Sequence, residues 1–415
     1  MFETLQKPNS KAWLVFLTAA ILLGAILRLS FPGDIEYKGD EKYMFDATQD
    51  YRATGNMPLL GMKSGIKLRN PGMSIWVFDA LSRISGATTP PELARSVQVL
   101  NILALVLLAF FSLRLVSEAE RLPWLWAAAL AAVNPFAVLF HRKIWAQCTL
   151  PFFCVLFWIA WHYRGKKTGA FFWGLLGACL GQIHMSGFFF AAAVFAWTLY
   201  RERRLQWGSW LTGSLLGAIP LIPWLRYVLT VPPEGTGTMS FWWTFYPKYW
   251  AYWVSDPLGM GLTYSLKTKT FLDFIRYPLV GEIGTYLVAL LHVVIVGTGL
   301  LMVVSWLKNR RGSSKTPDPP ETWIALTAVL VVTGILMSLS RVELFRHYLI
   351  VTFPLEWVWL AWLGLWDKRW GHRYLMVLWI AQLLLTASFL LFLHLNHGDV
   401  LGDYGVGYQF QMEGH

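Results

Sequence analysis

A succession of apolar stretches, each near the length that crosses about 30 Å of hydrocarbon, limits what this chain can fold into. They occupy residues 12–30, 93–116, 122–140, 146–163, 208–229, 280–307, 322–340, 348–366 and 374–394. Residues 168–200 are too long for one span and carry Gln182, His184 and Ser186 in their middle. They read as two short spans meeting at residues 182–187. Asn134-Pro135 predicts a kink in the third stretch, because proline removes a helical hydrogen bond that neighbours must replace. The expectation is an all-α polytopic membrane protein with about eleven transmembrane helices.

Composition agrees. Charged residues make up 14% of the 415 residues and hydrophobic ones 56%, against about 25% charged in soluble domains. A net charge of +11 would suit nucleic acid if it formed one face. Instead the basic residues sit in short clusters between apolar runs, which speaks against that partner and for topology. With the N-terminus in the cytoplasm, the inside loops hold Arg164, Lys166 and Lys167; Arg201, Arg203 and Arg204; Lys308, Arg310, Arg311 and Lys315; and Lys368, Arg369 and Arg373. Two long polar intervals, 31–92 and 230–279, then lie outside the cytoplasm.

Three basic features break the charge rule by falling outside: His141-Arg142-Lys143, His184, and residues 341–348. Residues 12–29 follow Lys7 and Lys11 as a signal peptide would, but no small-x-small cleavage site follows, so a retained first helix is expected. Cys148, Cys154 and Cys179 lie in or beside apolar runs without metal-ligand spacing and read as buried small hydrophobes. No internal repeat is evident, and residues 1–415 read as one integral-membrane unit with a linker-like stretch at 312–320.

Chemistry concentrates in the first outer interval. Asp40 and Glu41 open a predicted helix over residues 40–53, whose Tyr43, Met44, Ala47 and Tyr51 form an apolar stripe suited to the membrane interface. Asp46 and Asp50 on the same helix read as water-facing. The acidic pair has two readings: an N-cap with a dipole-favoured glutamate, or a catalytic carboxylate. His184 reads either as a satisfied core group or as a ligand. Arg142 and its neighbours either snorkel to headgroups or meet a phosphate. Arg346-His347-Tyr348 either anchors at the interface or binds a phosphate with the arginine's planar fork. The aromatic run from Trp242 and Trp243 to Trp253 suits interfacial anchoring or a carbohydrate cleft. Asp256 with Pro257 reads as the start of a turn.

A first span followed by Asp40-Glu41, an interfacial helix and Arg69-Asn70-Pro71-Gly72 before the second span resembles the glycosyltransferase C superfamily. The branch it resembles is that of the aminoarabinose transferases and protein O-mannosyltransferases. The resemblance implies a polyprenyl-phosphate-linked sugar donor and a lipid, glycan or protein acceptor. It also implies an active site on the extracytoplasmic face of a bacterial-type inner membrane. It assigns Asp40 as the base that deprotonates the acceptor, with Glu41 in support, and leaves room for a divalent metal ion. Arg69, Arg142 and Arg346 would hold the donor phosphate; His184, His347, Tyr348, Trp242 and Trp243 would add substrate contacts. Two departures stand out: Asn70 replaces a family proline, and Gln147 stands where a carboxylate is expected. Rival expectations are a ligase or polymerase of lipid-linked glycans, a transporter or flippase, and a non-catalytic scaffold. Glu356 is the main charge placed deep within a span.

Overall fold

The computed structural model describes residues 7, 10–64, 68–231, 248–312, 321–340 and 343–414, and these are mostly helical. In chain order, α1 is Lys11–Leu29 and α2 is Gly39–Thr54. A ribbon of β1 (Leu60–Lys63) and β2 (Arg69–Pro71) leads to α3, Met73–Ser85. Then come α4 (Pro90–Arg114), α5 (Arg121–Val133), α6 (Pro135–Phe140), α7 (Leu150–His162), α8 (Lys167–Ile183) and α9 (Ser186–Arg201). The chain continues with α10 (Trp207–Ala218), α11 (Ile222–Thr230), α12 (Lys248–Ser255) and α13 (Thr268–Arg276). After the ribbon β3 (Leu279–Val280) and β4 (Ile283–Gly284) follow α14 (Leu287–Gly312), α15 (Glu321–Leu339), α16 (Leu355–Leu365) and α17 (Gly371–Leu395). A last ribbon, β5 (Gly398–Asp399) and β6 (Gly405–Val406), ends in α18, Tyr408–Met412.

The centre of the bundle is α5. Every residue from Pro123 to Val133 is buried, as befits a helix that is apolar all round. It packs against α1, α4, α16 and α17. Its alanines let neighbours approach closely: a β-carbon at Gly24 of α1 would run into the carbonyl of Ala132. The same small-residue logic joins α8 to α10, where a β-carbon at Gly213 would strike the carbonyl oxygen of Phe171. Gly213→Val is therefore expected to cost about 1–3 kcal/mol by overpacking, read as earlier thermal unfolding in detergent.

Large apolar side chains point outward along the long helices, for example Val15 (69% exposed), Val293 (67%) and Leu300 (61%). Apolar surface on this scale needs lipid, so the chain is an integral membrane protein. Six helices among the described residues are long and apolar enough to cross a membrane, or seven if the bent pair Arg346–Thr352 with Leu355–Leu365 counts as one.

Helices stand at all eleven expected positions, and six of these, or seven with the bent pair, are long and apolar enough by themselves to count as full spans. α5 and α7 have 13 residues each and α9 has 16, short of the roughly 17–25 of a span, while α8 with 17 stands at the lower limit. The tenth expected span is also broken, by 78°. Pro354 lacks the N–H that would continue the helix, and Glu356 begins the second half, accepting a hydrogen bond from Thr352 Oγ1 at 3.1 Å. The two other breaks fall where the polar residues placed them. Asn134 caps α6, accepting from the Ala137 N–H at 3.0 Å while its amide donates to the Asp256 carbonyl at 2.9 Å. Gln182 donates to the Gly217 carbonyl at 2.6 Å where α8 gives way to α9. The three ribbons are a departure from a purely helical chain.

Hydropathy does not announce what residues 395–414 do. They fold back over the loop after α1. The Tyr408 N–H donates to the Ile35 carbonyl at 3.0 Å, the Gln409 N–H to Gly33 at 2.9 Å, and the Gln411 amide to Tyr37 at 2.9 Å. Tyr404 Oη donates to the Asp34 carbonyl. The acidic loop is thus held between the bundle and the tail.

Candidate active site

A cavity of about 800 Å³ opens where the α1–α2 junction, the β1–β2 ribbon, the α8–α9 junction and the segment after α15 meet. Asp40, Glu41, His184, His347 and Tyr348 all line it, together with Lys38, Lys63, Tyr264 and Asp403. Met185, Phe188, Phe189, Met337, Leu344 and Phe345 supply an apolar wall. Residues from six segments scattered between positions 38 and 403 therefore share one space.

Helix α2 starts one residue earlier than expected and separates the acidic pair. Lys38 occupies the N-cap position, and its N–H donates to Glu41 at 3.3 Å. The carboxylate in the capping role is thus Glu41, not Asp40. Asp40 is exposed on the cavity wall and makes no hydrogen bond or ion pair among the described residues. Partial burial raises its carboxyl above the ordinary range, against the pull of Lys38 and Lys143. A raised, unengaged carboxylate facing a cavity is what a general base requires.

Beneath Asp40 lies a buried charge cluster. Glu36 and Lys143, each with a side chain 1% exposed, form an ion pair, and Lys38 adds a second cation to Glu36 at 3.3 Å. Burial pulls the Lys143 ammonium down, but the Glu36 and Glu41 carboxylates more than restore it, and the net shift is upward. Glu41 is fully buried, and one of its oxygens has no partner among the described residues. Burial, then the nearby Glu36 charge, push its carboxyl up to about 8 from 4.5.

Between those two values native Glu41 holds a proton that the unfolded chain releases, so stability falls as pH rises through that window. Glu41→Gln, which mimics the protonated form, is expected to flatten that slope. Thermal unfolding at pH 6 and pH 8.5 checks it: the variant should gain on the natural chain at the higher pH.

On another part of the wall, His184 and His347 stand with ring centroids 6.4 Å apart. Nδ1 of His184 is 2.8 Å from Ser186 Oγ, and burial lowers this imidazole to about 4. Nδ1 of His347 lies 3.5 Å from the hydroxyl of Tyr264. That hydroxyl also bonds Asp403, itself 3.4 Å from Lys38.

The arginines expected to converge on a phosphate do not line this cavity. Arg142 is buried and gives its guanidinium to the carbonyls of Leu27 (2.9 Å), Arg28 (3.2 Å), Ser30 (2.7 Å) and Phe31 (3.0 Å). It closes the C-terminus of α1, whose last carbonyls have no helical partners. Its neighbour His141 accepts from Arg28 Nε at 3.1 Å. The whole His141-Arg142-Lys143 cluster is therefore internal framework.

Arg346 pairs with Asp256 at 3.3 Å and lies 4.7 Å over the Tyr252 ring. Asp256 is buried, which pushes its carboxyl up to about 7 against the pull of Arg346; it is an anchor for Arg346 rather than only a turn former. Arg69 is exposed on β2 and offers its backbone carbonyl to Trp224 Nε1 at 2.7 Å, while the adjacent Asn70 lines the cavity. Trp242 and Trp243 lie outside the described residues. Gln147, at the position where a carboxylate was expected, lines the cavity.

Sequence reasoning missed Glu36, Lys38, Tyr264 and Asp403. Glu36 and Lys38 stood in plain view within two to four residues of Asp40. Asp403 and Tyr264 had no signal, since only the folded-back tail and the loop after α12 bring them in. No group of three or more His, Cys, Asp or Glu among the described residues is arranged to hold a metal ion. Lys38, an ammonium, is the cation beside Asp403.

No protein-family model matches the sequence, and no curated protein matches it. Two solved structures are similar. ArnT from Cupriavidus metallidurans in the apo state matches over 91% of this chain and 76% of its own, at 14% identity and a TM-score of 0.43. The Archaeoglobus fulgidus oligosaccharyltransferase in the apo form matches over 95% of this chain, at 12% identity and a TM-score of 0.45. This chain spans 56% of that second structure's length.

Proposed function

We propose that this chain is a membrane glycosyltransferase. It moves a sugar from a polyprenyl-phosphate donor to the hydroxyl of a lipid, glycan or protein acceptor on the extracytoplasmic side. The observation that carries this reading is the cavity itself, with an unengaged carboxylate, Asp40, on a wall that also carries an apolar face. An amphiphilic donor matches that division: its tail lies against Phe188, Phe189 and Met337, and its sugar turns toward Asp40.

In the reaction, the acceptor oxygen attacks the anomeric carbon as Asp40 takes its proton. The bond from that carbon to the phosphate oxygen breaks, and its electron pair leaves on the phosphate. One displacement inverts the anomeric centre. The Glu36–Lys143 pair and the capping Glu41 hold α2, and so Asp40, in place. Arg346 acts from behind, fixing the turn that presents His347 and Tyr348.

The test is transfer by the purified protein in detergent, with a defined polyprenyl-phosphate sugar, candidate acceptors and no membrane gradient. Product with inverted anomeric configuration is the expected result. Turnover restricted to diphosphate-linked glycans would favour a ligase or polymerase. A transporter reading draws on one observation, the buried Glu356 at the 78° break, since broken helices with buried acids line transport sites. Lipid movement in vesicles without transfer in detergent would favour it.

A further inference from the structure

We propose that His184 and His347 form the seat of the lipid phosphate, and that a proton is taken up when this seat holds the free polyprenyl phosphate that transfer releases. This rests on the reading of the chain as a polyprenyl-phosphate-dependent transferase.

The first ground is geometry. Both imidazoles line the cavity, 6.4 Å apart between ring centroids. Two donors gripping oxygens of one phosphate, each at about 2.8 Å, stand roughly 5–6 Å from one another. The apolar residues Phe188, Phe189 and Leu344 line the same cavity, where a lipid tail joined to that phosphate would lie.

The second ground is the engagement of four of the cations in and around the site. Arg142 serves the end of α1, Arg346 serves Asp256, Lys143 serves Glu36, and Lys38 sits between Glu36 and Asp403. A phosphate brought beside Lys38 would also meet the carboxylates of Asp403 and Asp40.

The third ground is charge. His347 is enclosed by Phe345, Trp145, Phe140, Tyr348, Tyr264 and His184. Lys143 lies over the Trp145 ring at 4.5 Å, and Asp403 is reached through the Tyr264 hydroxyl. His184 faces Ser186, Tyr348 and His347, with Glu343 beyond Tyr348. No carboxylate is within ion-pair distance of either ring among the described residues, and burial holds His184 neutral near neutral pH. In the sugar-linked donor this phosphate is a diester with a single charge; the polyprenyl phosphate left after transfer is a monoester, with a second pKa of about 6, and is largely a dianion above that pH. Two neutral imidazoles cannot balance it, so a proton must enter with it, onto an imidazole or a phosphate oxygen.

The experiment titrates polyprenyl phosphate, without sugar, into the full chain in detergent at pH 6, 7 and 8. Calorimetry in buffers of different protonation enthalpy counts the protons. The expected result is uptake of up to one proton, with affinity rising by up to about tenfold per pH unit as pH falls from 8. His184→Asn and His347→Asn should each weaken binding about tenfold or more and reduce the uptake, with unfolding temperatures close to the natural chain. If His347→Asn fails to fold, His184→Gln and the proton count carry the test. Binding that is independent of pH with no proton uptake would overturn the proposal. So would a loss in Lys63→Gln or Arg346→Ala while the histidine variants bind normally. In those cases the transferase reading stands; failure to bind either polyprenyl phosphate or its sugar-linked form at any pH removes both.

Discussion

Asp40→Asn is expected to cut sugar transfer by about 10²–10⁴-fold, the range for loss of a positioned general base, while unfolding temperature and donor affinity stay close to those of the natural chain. The contrast is the informative part. Most acidic residues near a helix start are held by capping, and changing them costs stability. Here Lys38 holds the N-cap position and Glu41 accepts its N–H, so Asp40 is exposed and has no structural bond to lose. Asparagine keeps the size and removes the base. A variant with undiminished transfer would take the base role away from Asp40.

Lys143→Met should do the opposite, acting on stability. Its ammonium is the buried partner of Glu36 and lies near Glu41. Removing it leaves the buried Glu36 with only the part-exposed Lys38 as a partner, at a cost of up to about 3–5 kcal/mol, that of a broken buried pair. The variant is expected to unfold well below the natural chain in detergent. Glu36→Gln added to it should restore much of the loss, because the charge left behind is then gone. Failure of the double variant to recover would mean that Lys143 acts through its packing on Phe140, Trp145 and Tyr264 rather than through charge.

Much of the frame was legible because its signals are local. Apolar runs of bilayer length mark helices, and a proline or a polar patch inside such a run marks a break, as at Asn134-Pro135 and residues 182–187. What a run does not reveal is how much of it faces lipid. The alanine-rich stretch of α5 has the hydropathy of a lipid-facing helix but is buried by its neighbours along its length, and only packing decides that.

The candidate site divides along the same line. Asp40 and His184 could be singled out because a charge or imidazole beside an apolar run is conspicuous. The arginines were singled out for the same reason, and two of them are framework. A guanidinium that serves carbonyls of α1 from more than a hundred residues away looks, in one dimension, like one that awaits a phosphate. Asp403 was beyond reach because its approach depends on the tail bonding to residues 33–37.

The most direct measurement is a structure of the full chain with a polyprenyl-phosphate sugar bound. The account predicts that the lipid enters the cavity with its phosphate between His184 and His347 and its anomeric carbon turned toward the space in front of Asp40. A donor bound elsewhere on the bundle, or seated with its sugar away from Asp40, would contradict it.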